Sequence, residues 1–334
     1  MRRSTSAAPQ PPEGKPIPDP KNAKTGFRFC DPMCEKKPCA VRLASDRDSP
    51  SSLSVPEGHK SVYASVKKGR AREHGQDAAI WFSSRKMDLV GVLDGFGNQG
   101  TFLSEAVADG IIEALAFSAV NDILSADVRG FLISSVFYTL ESFTPPPDPE
   151  GKGGTTAAIA MVAPDGSFSA AGIGDSAIYH LFRRGVGRLF SSHRFDALQN
   201  PITGTPVIQY FYDRNVLQSA INFDGISTRS IDVATGVLAP GECLLLVSDG
   251  ITKSLSVSYD PESACVRDSS GCRDLKSILK GERDPKRVVE KLQGEVESRI
   301  EEASKAGSIR LMGKNEALLA VDDDISLIAY GLAR

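Results

Sequence analysis

The sequence predicts an α+β protein in which strands and helices form separate layers. Three observations predict it: short apolar runs bunch together, helical patterns fall into two separate blocks, and Gly/Asp turns punctuate the runs. A repeating βαβ unit would alternate the two patterns, and no internal repeat is apparent.

Residues 1–58 are rich in Pro, Ser, Lys and Asp and sustain no period of 2 or 3.6. Such a composition buries too little apolar surface to offset the entropy of ordering, so a disordered tail is expected, followed by one domain over 59–334. Val, Ile and aromatic content then predicts strands at 61–66, 78–83 and 88–93. Helical spacing of Phe102, Ala106, Ile112, Leu115 and Ala116 predicts a helix over 101–120. A second helix is expected over 128–141, stopped by Pro145-Pro146-Pro147. Further strands are expected at 155–162, 167–172, 177–182, 207–212, 225–233 and 242–247. A charged amphipathic helix at 285–306 precedes a last strand at 325–330.

The 334 residues are 41% hydrophobic and 24% charged, which leaves ample material for a core. A net charge of −3, with the basic residues scattered, argues against nucleic acid or an anionic membrane as partner. No apolar stretch approaches the roughly 20 residues of a membrane span. Met1-Arg2-Arg3 has no apolar segment behind it, so a cytoplasmic location is expected. Six cysteines fall into two groups, Cys30, Cys34 and Cys39, then Cys243, Cys265 and Cys272. Their uneven spacing, without a C-x-x-C pair, reads as reduced thiols rather than a zinc site or disulfides.

The aspartates carry the chemistry. Asp94 ends an expected apolar strand and precedes Gly95; Asp249 does the same before Gly250. Asp175 follows Gly172-Ile173-Gly174, Asp77 opens a strand, and Asp323 opens the last one. Singly, an Asp before Gly is a turn residue. Five carboxylates gathered at the ends of core strands would repel one another, and a hard cation is the usual remedy. All-oxygen ligation without His points to Mg²⁺ or Mn²⁺ rather than zinc.

Six ordered segments resemble the signature of the metal-dependent protein phosphatases of the type 2C (PPM) family, in their bacterial form. They are Arg72-Glu73-His74-Gly75-Gln76-Asp77, Val92-Leu93-Asp94-Gly95-Phe96-Gly97 and Gly153-Gly154-Thr155-Thr156-Ala157, then Gly172-Ile173-Gly174-Asp175-Ser176, Leu246-Val247-Ser248-Asp249-Gly250 and Asp323-Asp324-Ile325-Ser326-Leu327-Ile328. Asn215-Val216-Leu217-Gln218-Ser219-Ala220 resembles a segment found ahead of the fifth in bacterial members. The resemblance covers about residues 61–332.

It implies a four-layer αββα sandwich, with two central, mainly antiparallel sheets between helical pairs, and a flap over 191–218 beside a cleft. It implies hydrolysis of phosphoserine and phosphothreonine in proteins by water activated by two Mg²⁺ or Mn²⁺ ions, with a third as an option. Asp94 would bridge the two ions and the Gly95 carbonyl would add an oxygen. Asp249 and Asp323 would complete the second ion; Asp323 is preferred to Asp324, which stands where the family has Asn. Asp175 would join Asp249 at a third position, Asp77 would orient the attacking water, and Arg72 would grip the phosphate. Phosphorylated proteins are the implied partners, with a cognate kinase a further candidate.

Two departures leave a second reading open, a catalytically impaired pseudophosphatase acting as a binding module. Gln76 stands where the family often has Glu, offering an oxygen without charge to an ion. Phe96 replaces a frequent His, a general acid worth ~10²–10⁴ in rate. Gly95 to Gly100 also reads G-x-G-x-x-G, but Asp94 would face the pyrophosphate, and no acid ends a second strand about twenty residues later.

Overall fold

The computed structural model describes residues 39–45, 51–57, 60–70, 72–120, 127–142, 153–190, 205–206, 209–211, 216–226, 231–306, 310–312 and 316–332. In chain order, β1 (Cys39–Ala44) lies in a first sheet, and β2 (Ser51–Glu57) with β3 (Lys60–Lys67) makes a hairpin in a second. The hairpin of β4 (Asp77–Ser83) and β5 (Asp88–Gly97) returns to the first sheet, and helices α1 (Gly100–Val120) and α2 (Val128–Ser142) follow. β6 (Gly153–Thr155), β7 (Ala157–Val162) and β8 (Ser167–Ile173) extend the first sheet; β9 (Ala177–Phe182) and β10 (Gly185–Arg188) extend the second. β11 (Thr205–Pro206) belongs to a third sheet, while β12 (Ile221–Asn222), β13 (Gly225–Ile226) and β14 (Asp232–Val237) rejoin the first.

β15 (Cys243–Val247) lies in the second sheet and runs into the short helix α3 (Asp249–Thr252). β16 (Val257–Asp260) and β17 (Cys265–Asp268) continue the third sheet, helices α4 (Cys272–Leu279) and α5 (Pro285–Ala306) follow, and β18 (Arg310–Met312) and β19 (Glu316–Leu318) close it. The last strand, β20 (Ile325–Leu332), enters the second sheet between β15 and β3. Among the described residues every strand pairing is antiparallel.

The layers follow from side chains that alternate along buried strands. On β4, Ala79 and Trp81 pack between the two large sheets, while Ala78, Ile80 and Phe82 pack toward α1 and α2. β7 repeats the division with Ala158 and Ala160 on one face and Ile159 and Met161 on the other. In the second sheet, Leu244, Leu246, Ile328 and Tyr330 turn inward, and Leu245, Val247, Leu327 and Ala329 turn toward α4 and α5. Val288, Val289, Leu292, Val296 and Ile300 form the apolar stripe of α5 against that outer face. The result is the expected four layers, helices–sheet–sheet–helices.

Several expectations are corrected. The folded region reaches back to Cys39, because β1 pairs with β4 from Cys39↔Ser83 to Ala44↔Ala78 and buries Cys39, Val41 and Leu43 in the inter-sheet core. β2 also precedes the expected boundary at 58, pairing along β3. A six-residue strand is diluted by the polar composition around it. Residues 209–211 are helical rather than part of a strand over 207–212, and the strand expected over 225–233 is two strands, β13 and β14. The third sheet and α4 were not anticipated. Within the expected flap over 191–218, most residues lie outside the described ones; β11 pairs with β17. Cys30, Cys34 and residues 1–38 as a whole also lie outside them, and Cys243, Cys265 and Cys272 are free thiols. Among the described residues, no helix is long and apolar enough to cross a membrane.

Candidate metal centre

The centre is built where the two large sheets meet at one end. Asp77 and Asp94 sit directly opposite one another on β4 and β5. β5 does not end at Leu93 as expected; at Asp94 it changes partner, pairing with β7 before that point and with β6 after it. Thr156, in the break between β6 and β7, donates its backbone N–H to the Asp94 carbonyl at 2.8 Å. A strand that changes partner carries its acid into the gap between sheets rather than onto a regular ladder.

From the second sheet, β15 delivers Asp249 at the start of α3, and its backbone N–H donates to Asp94 Oδ2 at 3.1 Å. Asp175 follows β8 and is 1% exposed. Asp94, Asp175 and Asp249 each offer a carboxylate oxygen, and these oxygens lie within 4.8 Å of one another. The Asp-Gly steps are needed for close approach: a Cβ on Gly95 would lie 2.3 Å from the Gly100 carbonyl oxygen, and one on Gly250 2.0 Å from that of Asp324.

Asp323 precedes β20, is joined to Asp249 through Lys253, and also carries Arg72. Arg72 donates to Asp323 Oδ1 and to Gln76 Oε1, and the Lys253 ammonium touches Asp249 Oδ2 and lies 3.5 Å from Asp323 Oδ2. The neighbouring Asp324 is turned to the chain, accepting from the backbone N–H groups of Gly69 (2.7 Å) and Gln76 and from Ser45 Oγ (3.3 Å). Geometry therefore separates the two acids: Asp324 pins the segment before β4, and Asp323 reaches the cluster.

Gln76 is committed to neighbours. Its side-chain oxygen accepts from Arg72, its amide donates to the Gly97 carbonyl at 2.6 Å, and its own carbonyl accepts from Gly95 N–H at 3.0 Å. The Phe96 ring lies against Gly154. His74 is largely exposed, and His193 lies outside the described residues.

Burial, followed by the charges of Asp324, Asp323 and Asp249, pushes the Asp77 carboxyl well above the ordinary aspartate range. Asp94 is pushed up by burial and then by Asp249, Asp77 and Asp175. Asp323 is raised by burial and Asp249, against the lowering influence of Lys253 and Arg72. For Lys253, burial opposes the charged form, but Asp249, Asp323 and Asp175 together outweigh it and hold the ammonium protonated.

These residues fit a hard divalent cation. Five buried carboxylates (Asp77, Asp94, Asp175, Asp249 and Asp323) stand at this junction with two cationic side chains in contact with Asp249 and Asp323, and Asp77 Oδ2 is buried without a hydrogen-bond partner among the described residues. The donors are all hard oxygens, as Mg²⁺ and Mn²⁺ prefer. Lys253 was missed in the sequence; its signal is the i, i+4 spacing from Asp249, legible only once the Asp-Gly step is known to open a helical turn.

No family model matches the chain, and no curated protein matches it. Solved structures do. A PPM Ser-Thr phosphatase from Mycobacterium smegmatis, MsPP, superposes with a TM-score of 0.53 at 20% identity, over 87% of this chain and 100% of that one. The serine/threonine phosphatase of S. agalactiae gives 0.55 at 17% identity, over 85% of this chain and 98% of that one. The serine/threonine phosphatase PstP/Ppp of Mycobacterium tuberculosis gives 0.52 at 16% identity, over 83% of this chain and 100% of that one. The chain has the fold of the PPM phosphatases. In this PPM-type fold the six signature segments fall around one place, the junction of β4, β5, β15 and β20 where the acids meet.

Proposed function

We propose that the protein is a metal-dependent serine/threonine protein phosphatase. The observation that carries this reading is the convergence of Asp94, Asp175 and Asp249 to within 4.8 Å, with Arg72 held at the same site through Asp323. The structural neighbours are Ser/Thr phosphatases, which supports the reaction class.

Asp94, the Gly95 carbonyl, Asp249 and Asp323 would hold two Mg²⁺ or Mn²⁺ ions, and Asp175 stands beside Asp249 for a further one. Divalent cations in such a cluster supply a water nucleophile at neutral pH and neutralise phosphoryl oxygens. Asp77, through its unpartnered Oδ2, orients the attacking water in line with the phosphorus–oxygen bond that breaks. Arg72 exchanges Asp323 for the substrate phosphate, where its planar fork binds two oxygens at once. Gln76 positions Arg72, because its side-chain oxygen accepts from the guanidinium. Exclusion of water by the buried cluster strengthens each of these contacts. The same reading carries phosphorylated Ser/Thr proteins as substrates, a cognate kinase as the opposing enzyme, and action in the cytoplasm.

The test is release of phosphate from p-nitrophenyl phosphate and from a phosphothreonine peptide with Mn²⁺ or Mg²⁺ present. Turnover that disappears with a chelator supports the reading. A folded protein inert with both ions would instead favour a binding module that keeps the fold, a reading for which Phe96 and the ammonium of Lys253 within the acids are the specific observations.

A further inference from the structure

We propose that Lys253 is an internal competitor for a divalent cation at Asp249 and Asp323. The inference rests on the metal-centre reading above and concerns how that centre loads. Lys253 caps α3, four residues after Asp249, with helical backbone angles of φ −68° and ψ −21°, and its N–H donates to the Asp249 carbonyl at 2.7 Å. That turn folds its side chain back along the helix onto the carboxylate. Nζ touches Asp249 Oδ2, lies 3.5 Å from Asp323 Oδ2, and belongs to a side chain only 9% exposed. A lysine is seldom buried so far without paired charge, and here two acids distant in sequence, one at the start of α3 and one just before β20, share one ammonium.

An ammonium and a hard divalent ion need the same carboxylate oxygens, and both are cations. They exclude one another at this edge of the cluster. On the other edge, Asp94 and Asp175 bring their oxygens within 4.8 Å of Asp249. The two edges therefore load unequally: an ion on the Asp94–Asp175 side enters a preformed group of acids, and an ion between Asp249 and Asp323 enters only as Nζ swings out. Arg72, already on Asp323, adds to the bias against the second ion.

The experiment is a calorimetric Mn²⁺ titration of the full chain as wild type, Lys253→Met and Lys253→Gln, the last retaining a hydrogen-bond donor for Asp249 should Lys253→Met not fold. The expected result is that the weaker Mn²⁺ step tightens roughly tenfold or more without the ammonium, or emerges where wild type shows none. Equal stoichiometry and equal affinities in wild type and a folded variant would overturn the competition and leave the metal centre standing. Absence of Mn²⁺ binding in all three would overturn the metal centre itself, and the inference with it. A measurement independent of any variant is acylation of Lys253 by an amine reagent, read by mass spectrometry. Labelling should rise when saturating Mn²⁺ displaces Nζ, and Mn²⁺ binding that leaves Lys253 equally protected contradicts the proposal.

Discussion

Asp77 and Asp94 are directly opposed across β4 and β5, both buried, with their carboxyl groups pushed toward the protonated form. Two such groups make the metal-free fold pH-dependent in a defined direction. A carboxyl whose folded pKa is raised stabilises the fold below its unfolded value, about 3.9 for Asp, and loses that contribution as pH rises through the folded value. In chelator, the melting temperature of Asp94→Asn minus that of wild type should therefore grow as pH climbs from acid toward neutral. Saturating Mn²⁺ should reverse the sign, because an ion favours the ionised acids. A difference that stays flat with pH in chelator would show that Asp94 is not held in a repulsive cluster.

Removal of Asp94 or Asp249 by alanine should abolish metal-dependent turnover, a loss of roughly 10² or more, since each acid belongs to the charged framework that acts on the phosphoryl group. Metal-free stability should not fall in parallel for Asp94→Ala, which removes a repulsive charge, whereas Asp249→Ala also takes an acid from the buried Lys253 ammonium. Phosphatase assays paired with urea unfolding in chelator check both halves of this expectation.

Arg72→Ala should act mainly on KM for phosphopeptides, by roughly tenfold, equivalent to about 1.4 kcal/mol of lost binding. Gln76→Ala should move KM in the same direction by less, because Gln76 acts only by holding the guanidinium. Steady-state kinetics with a phosphothreonine peptide distinguishes these outcomes, and an unchanged KM in Arg72→Ala removes Arg72 from the site.

Two stability predictions test the frame around the centre. Asp274 and Arg299 form a buried ion pair at 2.6 Å that ties α4 to α5, and Asp274 also accepts from Ser256 N–H. Asp274→Ala should destabilise by about 3 kcal/mol, since it takes the two-pronged partner from a buried guanidinium and leaves it only Glu295 and the Ser254 carbonyl.

Gly250→Ala should destabilise by about 2 kcal/mol or more, because its Cβ would meet the Asp324 carbonyl at 2.0 Å and force β15 and β20 apart. Urea denaturation of both variants measures the two effects, and a Gly250→Ala chain as stable as wild type would contradict the packing at that turn.

Much of this was legible because local pattern and tertiary role agree. The stripe of Val288, Leu292, Val296 and Ile300 set the helix over 285–306, and Asp-Gly steps after apolar runs marked Asp94 and Asp249 as acids at strand ends. What was hidden depended on partners distant in sequence. β1 is six residues in a polar neighbourhood and owes its order to β4. The change of partner at Asp94 needs β6 and β7 to be seen together. β16 to β19 are too short for a period-2 pattern to stand out. Lys253 looks like an ordinary surface lysine until the turn of α3 folds it onto Asp249.

In the proposed enzyme this acid cluster binds the ions on which phosphoester hydrolysis depends. Crystals grown with Mn²⁺ and measured at the manganese absorption edge test it most directly. Anomalous density is expected against the carboxylates of Asp94 and Asp249, and none there in crystals of an Asp94→Ala chain. Manganese bound only elsewhere on the protein, with Asp94, Asp175 and Asp249 bare at saturating ion, would contradict it.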